Sequence, residues 1–209
     1  STNFTDICFM YSFNYIMSSH SVIHVENAAT IFFKSTIMIR NICGTGAISF
    51  EKAVLIIMDN STFAQNHARF GSVLYSYKQS STSLNLCNSR FLTNHAVSYG
   101  IVYLKTFQVI HVHFCIFERN NVDDKTGVFH LEEGTSISIQ NCIYYSNNAK
   151  HVGVLFVRKV KSVAIKLCKL HQNKASDGDG GVIYAEMVTT ITTELSRCNK
   201  NFANTYGGV

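Results

Sequence analysis

Proline is missing from all 209 residues of this chain. Because proline has no backbone N–H and is confined to sheet edges and bulges, its absence is typical of a chain whose N–H groups are committed to β-ladders. Long apolar runs are missing too, since no stretch approaches the roughly 20 residues that a bilayer-spanning helix needs. The sequence therefore predicts no membrane-spanning segment.

An excess of charge of one sign is also lacking. Lysine and arginine number 18 against 13 aspartates and glutamates, and the resulting formal charge of +5 is scattered along the chain. No basic run is interleaved with aromatic residues, as a nucleic-acid-binding surface would require. The seven cysteines include no CxxC pair, and the nine histidines are dispersed. The sequence thus predicts no nucleic-acid partner, no metal site and no cofactor.

An asparagine recurs at intervals of 25 to 28 residues through the whole chain. A fixed period of this size marks a stacked architecture in which each unit buries its apolar face against its neighbours. The recurring residues are Asn14, Asn41, Asn66, Asn94, Asn120, Asn147, Asn173 and Asn201.

Other positions recur with the asparagine. A bulky apolar residue, such as Phe63, Phe91 or Phe117, stands three residues before it in most units, and a small one, such as Ala68, stands two residues after it. The step from the repeat glycine to the next asparagine is 20 residues in five of six units. Length variation is therefore confined to the stretch from asparagine to glycine, which predicts a surface loop. The repeat glycines are Gly46, Gly71, Gly100, Gly127, Gly153, Gly181 and Gly208.

The remaining pattern has the period of β-strands. Apolar pairs such as Ile56 and Met58, or Ile137 and Ile139, alternate with more polar residues such as Ser138. This pattern therefore predicts two or three short strands in each repeat unit. Units of about 27 residues predict an all-β fold, a right-handed parallel β-helix of about eight coils, with residues 1–209 as a single domain. The asparagine amides are expected to form a ladder from coil to coil, and the glycines to supply a positive φ at a corner.

The motifs also carry a family resemblance. FxxN motifs occur at Phe63-Ala-Gln-Asn66, Phe91-Leu-Thr-Asn94 and Phe117-Glu-Arg-Asn120, and glycine motifs occur at Gly46-Ala-Ile48 and Gly180-Gly-Val-Ile183. These motifs resemble the FxxN and GGA(I/L/V) repeats of the chlamydial polymorphic membrane proteins and similar pectin-lyase-like β-helices. The resemblance covers nearly the whole chain. It implies a surface-displayed passenger domain, often adhesive, and implies no catalytic site.

Both ends of the sequence fall inside a coil, since few residues precede Asn14 and the last residues are Gly208 and Val209. Uncovered parallel strand edges invite association. We therefore expect either a longer parent chain or self-association end to end, as in a fibre.

Three cysteines, Cys115, Cys142 and Cys168, share one coil position with Ser61 and Ser89 and should stack in adjacent coils. Two interpretations are open: a ladder of buried free thiols, or a disulfide between neighbouring coils, because the coil step lies within the Cα separation that a disulfide tolerates.

Two N-glycosylation sequons occur, at Asn3-Phe-Thr5 and Asn60-Ser-Thr62. Asn60 falls at a predicted corner between strands, at the same coil position as Asn88 and Asn141. The alternative interpretation is that these three asparagines form a second, partial asparagine ladder.

Charged residues of the asparagine-to-glycine loops are the candidates for catalysis. On adjacent coils, paired carboxylates can act as acid and base in glycoside cleavage or as oxygen ligands for calcium, whereas a solvated loop of Asp and Gly is the alternative. These candidates are Asp123, Asp124, Lys150, His151, Asp177 and Asp179.

The sequence favours a non-enzymatic, extracellular or cell-surface β-helix with a structural or adhesive role and a host-cell or glycan ligand. The outward aromatic residues Tyr103, Phe156 and Tyr184 either form a binding stripe or pack under a loop. A polysaccharide lyase or hydrolase, and a carbohydrate-binding module on the same scaffold, are the alternative functions.

Overall fold

The computed structural model describes residues 3–4, 20–78 and 81–207. Within these residues every regular element is a β-strand, and no helix occurs. The ladder residue Asn14 and the turn residue Gly208 lie outside the described residues, as does the side chain of Asn3.

The first of three sheets contains the longest strand of each turn, and in most turns this strand follows the repeat glycine. Five of its strands have 12 residues each, whereas two turns divide the strand into two shorter pieces. The strands are β1 (Asn3–Phe4), β2 (Ile23–Lys34), β5 (Ile48–Asp59), β8 (Leu74–Ser76), β9 (Thr82–Cys87), β12 (Val102–Leu104), β13 (Phe107–His113), β16 (Phe129–Gln140), β19 (Leu155–Lys166) and β22 (Ile183–Glu194).

The second sheet is built from three-residue strands that lead to the repeat asparagine. Its strands are β3 (Ile37–Ile39), β6 (Thr62–Ala64), β10 (Arg90–Leu92), β14 (Ile116–Glu118), β17 (Ile143–Tyr145), β20 (Lys169–His171) and β23 (Arg197–Asn199).

The third sheet directly follows the asparagine, within the stretch that the sequence predicted to be a loop. That prediction was wrong for the first residues of the stretch, because a short strand precedes the variable connection. The strands are β4 (Ile42–Cys43), β7 (His67–Phe70), β11 (His95–Ser98), β15 (Asn121–Val122), β18 (Asn148–Ala149), β21 (Lys174–Ala175) and β24 (Phe202–Ala203).

All of these strands pair in parallel with the equivalent strand of the next turn. Phe91, for example, lies in register with Phe63 on one side and Phe117 on the other. Seven turns of about 27 residues are described. The predicted parallel β-helix is therefore confirmed, and its turn count agrees with the predicted eight coils.

The interior is a packed apolar core. The alternating pairs predicted from the sequence, such as Ile56 with Met58, are fully buried. Phe63, Phe91, Phe117 and Tyr144 stack through the core with ring centroids 5.2, 4.7 and 4.9 Å apart. In the last described turn Ile191 is 45% exposed, because no further described turn covers it.

The buried asparagines form the predicted ladder. Asn120 Oδ1 accepts hydrogen bonds from the backbone N–H of Asn94 at 3.0 Å and from Asn94 Nδ2 at 3.1 Å. Asn120 Nδ2 in turn donates to Asn147 Oδ1 at 2.9 Å and to the carbonyl of Phe91 at 2.9 Å. Equivalent side-chain hydrogen bonds join Asn41, Asn66, Asn94, Asn120, Asn147, Asn173 and Asn201 in sequence.

The predicted role of the glycines was wrong for most of them. Among the described glycines only Gly71, at 49°, and Gly207, at 62°, have a positive φ. A Cβ on Gly127 would instead collide with the carbonyl oxygen of Gly153, and a Cβ on Gly153 with that of Gly181. Close approach between successive turns therefore requires these glycines. The positive φ falls on other residues, one of them directly before each asparagine: Arg40, Gln65, Thr93, Arg119, Ser146, Gln172 and Lys200.

Candidate functional site

The three stacked cysteines lie at the corner between the first and second sheets. Cys115, Cys142 and Cys168 are buried free thiols, and each donates to the carbonyl two residues earlier, at 3.3, 3.1 and 3.2 Å. Ser61 and Ser89 make the same bond through Oγ. The neighbouring Cys115 thiol, together with burial, raises the pKa of Cys142 to about 12. Cys142 thus acts as a corner hydrogen-bond donor with little thiolate character.

The asparagines at the preceding position do not form a buried ladder. Asn60 is exposed and donates from Nδ2 to Ser35 Oγ at 3.2 Å, and Asn88 is exposed and donates to Asp59 Oδ1 at 3.1 Å. The prediction that Asn60 and Asn88 belong to a second partial ladder was therefore wrong, because at this outward corner each bonds a different side chain of the preceding turn.

Most of the catalytic candidates form exposed polar contacts between neighbouring turns. Asp123 contacts His95 Nε2 at 2.8 Å, and Lys150 lies 4.0 Å from Asp177. Asp124 accepts from Ser98 Oγ at 3.1 Å and lies 3.8 Å from His151. Such pairs contribute little to stability, and they leave these carboxylates outside any enclosed site.

Two of the candidates, His151 and Asp179, line a cleft of about 350 Å³. One wall consists of the loop before each glycine, where Thr126, Val152 and Gly180 are in parallel register. The other wall is the outward face of β16, β19 and β22 just after the glycine. The lining residues on that second wall are His130, Glu132, Phe156, Arg158, Tyr184 and Glu186.

A polar network lines this cleft, and its members Thr126, His130 and Glu132 are buried. Thr126 Oγ1 lies 3.1 Å from His130 Nδ1, and His130 Nε2 lies 3.1 Å from Glu132 Oε1. Arg158, one turn on, donates from Nη2 to Glu132 Oε2. Burial lowers the pKa of His130, so we assign a neutral ring that carries its proton on Nε2. Hydrogen bonds from His130 and then Arg158 lower the pKa of Glu132 to about 2.

The outward aromatic residues belong to one row that continues beyond the cleft. Tyr75, Tyr103, His130, Phe156 and Tyr184 are in register on five successive turns. Tyr103 is only 6% exposed and packs under Tyr99 of the loop at 4.5 Å between ring centroids.

Phe156 and Tyr184 are half-buried and line the cleft, with stacked rings 5.6 Å apart. Tyr103 therefore packs under a loop, as one alternative predicted, whereas Phe156 and Tyr184 face the cleft and their role in binding stays a prediction.

Sequence reasoning missed the Thr126, His130, Glu132 and Arg158 network. A signal was present, because Glu132, Arg158 and Glu186 occupy one coil position and alternate in charge. Chemically, the cleft offers fixed donors, carboxylates and aromatic edges to a polar ligand. Within residues 20–78 and 81–207, no three His, Cys, Asp or Glu side chains converge where a metal ion would bind.

The part of the chain that the structure describes holds no helix of the length and apolarity that crossing a bilayer requires. Neither a protein-family model nor a curated protein nor a solved structure matches this chain.

Proposed function

We propose that this chain is a non-enzymatic, extracellular β-helix with a structural or adhesive role, and that its cleft is the ligand-binding surface. The observation that carries the proposal is the cleft of about 350 Å³ on the outside of a rod with a filled interior. Side chains from three turns line it and combine aromatic edges with both signs of charge, as ligand pockets do.

The repeat motifs support the extracellular location. The alternation of FxxN and glycine motifs over the whole chain resembles the chlamydial polymorphic membrane proteins, whose passenger domains are displayed at the surface and are often adhesive. Expected ligands are accordingly a host-cell surface or its glycans.

The state of the charged groups supports a binding role over catalysis. A general acid or base works best with a pKa near the operating pH. Glu132 has a pKa of about 2 and is paired with Arg158, and Asp124 is close to His151. Glu132 and Asp124 therefore each interact with a basic side chain of the next turn.

Cell and glycan binding tests the proposal. Fluorescently labelled protein is applied to cultured epithelial cells and to immobilised glycans, and Arg158→Ala and Tyr184→Ser are compared with Lys159→Ala. Lys159 is the adjacent residue and pairs with Glu133 outside the cleft. Loss of one central contact is expected to weaken binding roughly tenfold. Equal binding by all three variants would overturn the assignment of the cleft.

One observation favours a second candidate, a polysaccharide-acting enzyme: Asp179 and His151 do reach the cleft. Release of reducing or unsaturated ends from polygalacturonate is the assay. If the chain is an enzyme, Asp179→Asn abolishes the activity, whereas Asp177→Asn, which alters an exposed pair with Lys150, preserves it.

End-to-end association is part of the structural role that we propose. Ile191 is 45% exposed in the last described turn although its equivalents Val163 and Ile137 are buried, and an exposed apolar surface favours association. Electron micrographs that show long rods support a fibre, whereas short discrete particles oppose it.

A further inference from the structure

An open groove of about 380 Å³ runs along the corner between the first and second sheets, away from the cleft. Its lining comes from three successive turns and includes Asn60, Thr62, Asn88, Arg90, Phe114 and Ile116. The groove is polar on one side, and the ring of Phe114 stands at its far end.

Asn60 lines the start of this groove, and its Nδ2 donates to Ser35 Oγ of the preceding turn. It occupies the left-handed region with φ 48°, in a tight corner where its side chain is exposed. Ser61 is buried, and Thr62 begins β6 and lines the groove. The sequon Asn60-Ser-Thr62 is thus displayed on the outer surface, as a glycan acceptor must be.

Phe114 presents an exposed bulky apolar side chain at this corner, as Leu167 and Leu195 do in later turns. It occupies the same corner as Asn60, two turns further on, at roughly 10 Å by strand spacing. Its φ is 55° and its side chain is 60% exposed. A positive φ is the regular conformation of this corner, so the feature of Phe114 that matters is its exposed aromatic ring beside a polar groove, which offers a stacking surface to a ligand in the groove.

We propose that Asn60 accepts an N-linked glycan whose first sugars lie in this groove against Phe114. The inference rests on the extracellular part of the proposed function and is independent of the cleft. Sugar hydroxyl groups would meet Arg90 and Asn88, and an apolar sugar face would cover the Phe114 ring.

The modification is a group transfer from a lipid-diphosphate-linked oligosaccharide. The bond from Asn60 Nδ2 to sugar C1 forms and the bond from C1 to the diphosphate oxygen breaks. One amide proton passes to a base of the transferase, and the lipid diphosphate leaves. The second N–H of Asn60 remains able to donate to Ser35 Oγ.

Secretion of the chain from eukaryotic cells tests occupancy, with Thr5→Ala as background so that the sequon at Asn3 is inactive. Intact mass is measured before and after an amidase that removes N-linked glycans. Asn60→Gln and Thr62→Ala are expected to lose the glycan, and Thr62→Ser to retain it. Asn88→Gln is the matched control, since Asn88 shares the corner, the exposure and the positive φ but is followed by Ser89 and Arg90.

The groove contact is tested by the rate at which the amidase releases the glycan from the folded protein. Phe114→Ser is expected to raise that rate several-fold, with no difference after denaturation. A secreted protein without glycan at Asn60 overturns the proposal, and equal release rates overturn the contact with Phe114. Neither outcome affects the test of cell binding through the cleft. The glycan proposal can therefore be overturned while the proposed function stands, and the reverse also holds.

Discussion

At the scale of single residues, the repeat asparagine satisfies all of its hydrogen-bonding capacity inside the fold. Asn120 accepts twice through Oδ1 and donates twice through Nδ2, and its four partners lie in the two neighbouring turns. A buried amide that is fully bonded fixes the register of three turns at once, because any slip would leave several polar groups unpaired.

Replacing Asn120 with alanine should therefore destabilise the protein strongly. The Asn94 amide and backbone N–H would lose their acceptor and the Phe91 carbonyl its donor, at about 1–3 kcal/mol for each buried group left unpaired. We expect a total loss of roughly 3 kcal/mol or more, measured by urea unfolding. The control is Asn121→Ala, whose side chain is half-buried and bonds Asp123 and Asn148 at the surface. Equal losses in the two variants would contradict the ladder's role.

The sequence predicted this residue correctly because a buried amide ladder demands the same side chain once in every turn. It did not predict the backbone of the glycines, since spacing alone cannot separate a positive φ from a close approach. Gly127 is required by the carbonyl of Gly153, a contact between turns that becomes visible only when the coils are stacked.

The Glu132 carboxylate predicts a dependence of stability on pH. Its pKa is about 2 in the folded chain against an ordinary 4.5, so its stabilisation is complete above about pH 4.5 and is lost as the pH falls towards 2. The shift corresponds to on the order of 3 kcal/mol. Burial also lowers the pKa of His130, which adds acid destabilisation below about pH 6.5.

Unfolding measured from pH 7 to pH 2.5 checks this expectation. Glu132→Gln should be less stable than the unaltered chain at pH 7 and approach it at the acidic end. Glu133→Gln, which alters an exposed pair with Lys159, should follow the unaltered chain throughout. A constant difference between Glu132→Gln and the unaltered chain would show that ionisation of Glu132 does not stabilise the fold.

At the scale of elements, the corner between the first and second sheets tolerates either a hydroxyl or a thiol. Each such side chain donates back to the carbonyl two residues earlier, as Ser61 does at 2.8 Å and Cys142 at 3.1 Å. The alignment of Cys142 with Ser61 and Ser89 predicted the shared position. The alignment could not show that the Asn60 side chain, directly after β5, points to solvent, because the exposure of a corner residue depends on the backbone path between the two sheets.

Cys142→Ser should consequently leave stability nearly unchanged, within about 1 kcal/mol, because the donor is kept. Cys142→Val keeps the volume and apolar character but removes the donor, and we expect a loss of about 1–3 kcal/mol. Thermal unfolding under reducing conditions compares the two. If valine were tolerated as well as serine, the corner hydrogen bond would contribute nothing.

At the scale of the whole molecule, each turn contacts only its neighbours, so stability is close to a sum over turns and their interfaces. The cleft and the corner groove follow from this arrangement. Both are lined by residues one turn apart, so a ligand or glycan that lies along the rod meets a side chain at every roughly 4.8 Å step. Local pattern was sufficient to predict the rod, whereas the cleft depends on pairings such as Arg158 with Glu132 between turns.

Deletion of one complete turn, residues 67–94, tests this modularity. The deletion joins Asn66 to His95. Asn66 then takes the place of Asn94 as the neighbour of Asn120, and Phe63 takes the place of Phe91 as the neighbour of Phe117. We expect retained β-sheet circular dichroism, a rod shorter by about 4.8 Å in X-ray scattering, and a lower urea midpoint, because one interface is lost. Deletion of residues 67–80 removes about half a turn and should destabilise the chain far more, since the step from Asn66 to Asn94 would shrink from 28 residues to 14 and the two asparagines could no longer stack. If both deletions unfolded the chain equally, the interfaces between turns would not be interchangeable. Stability would then depend on particular turns.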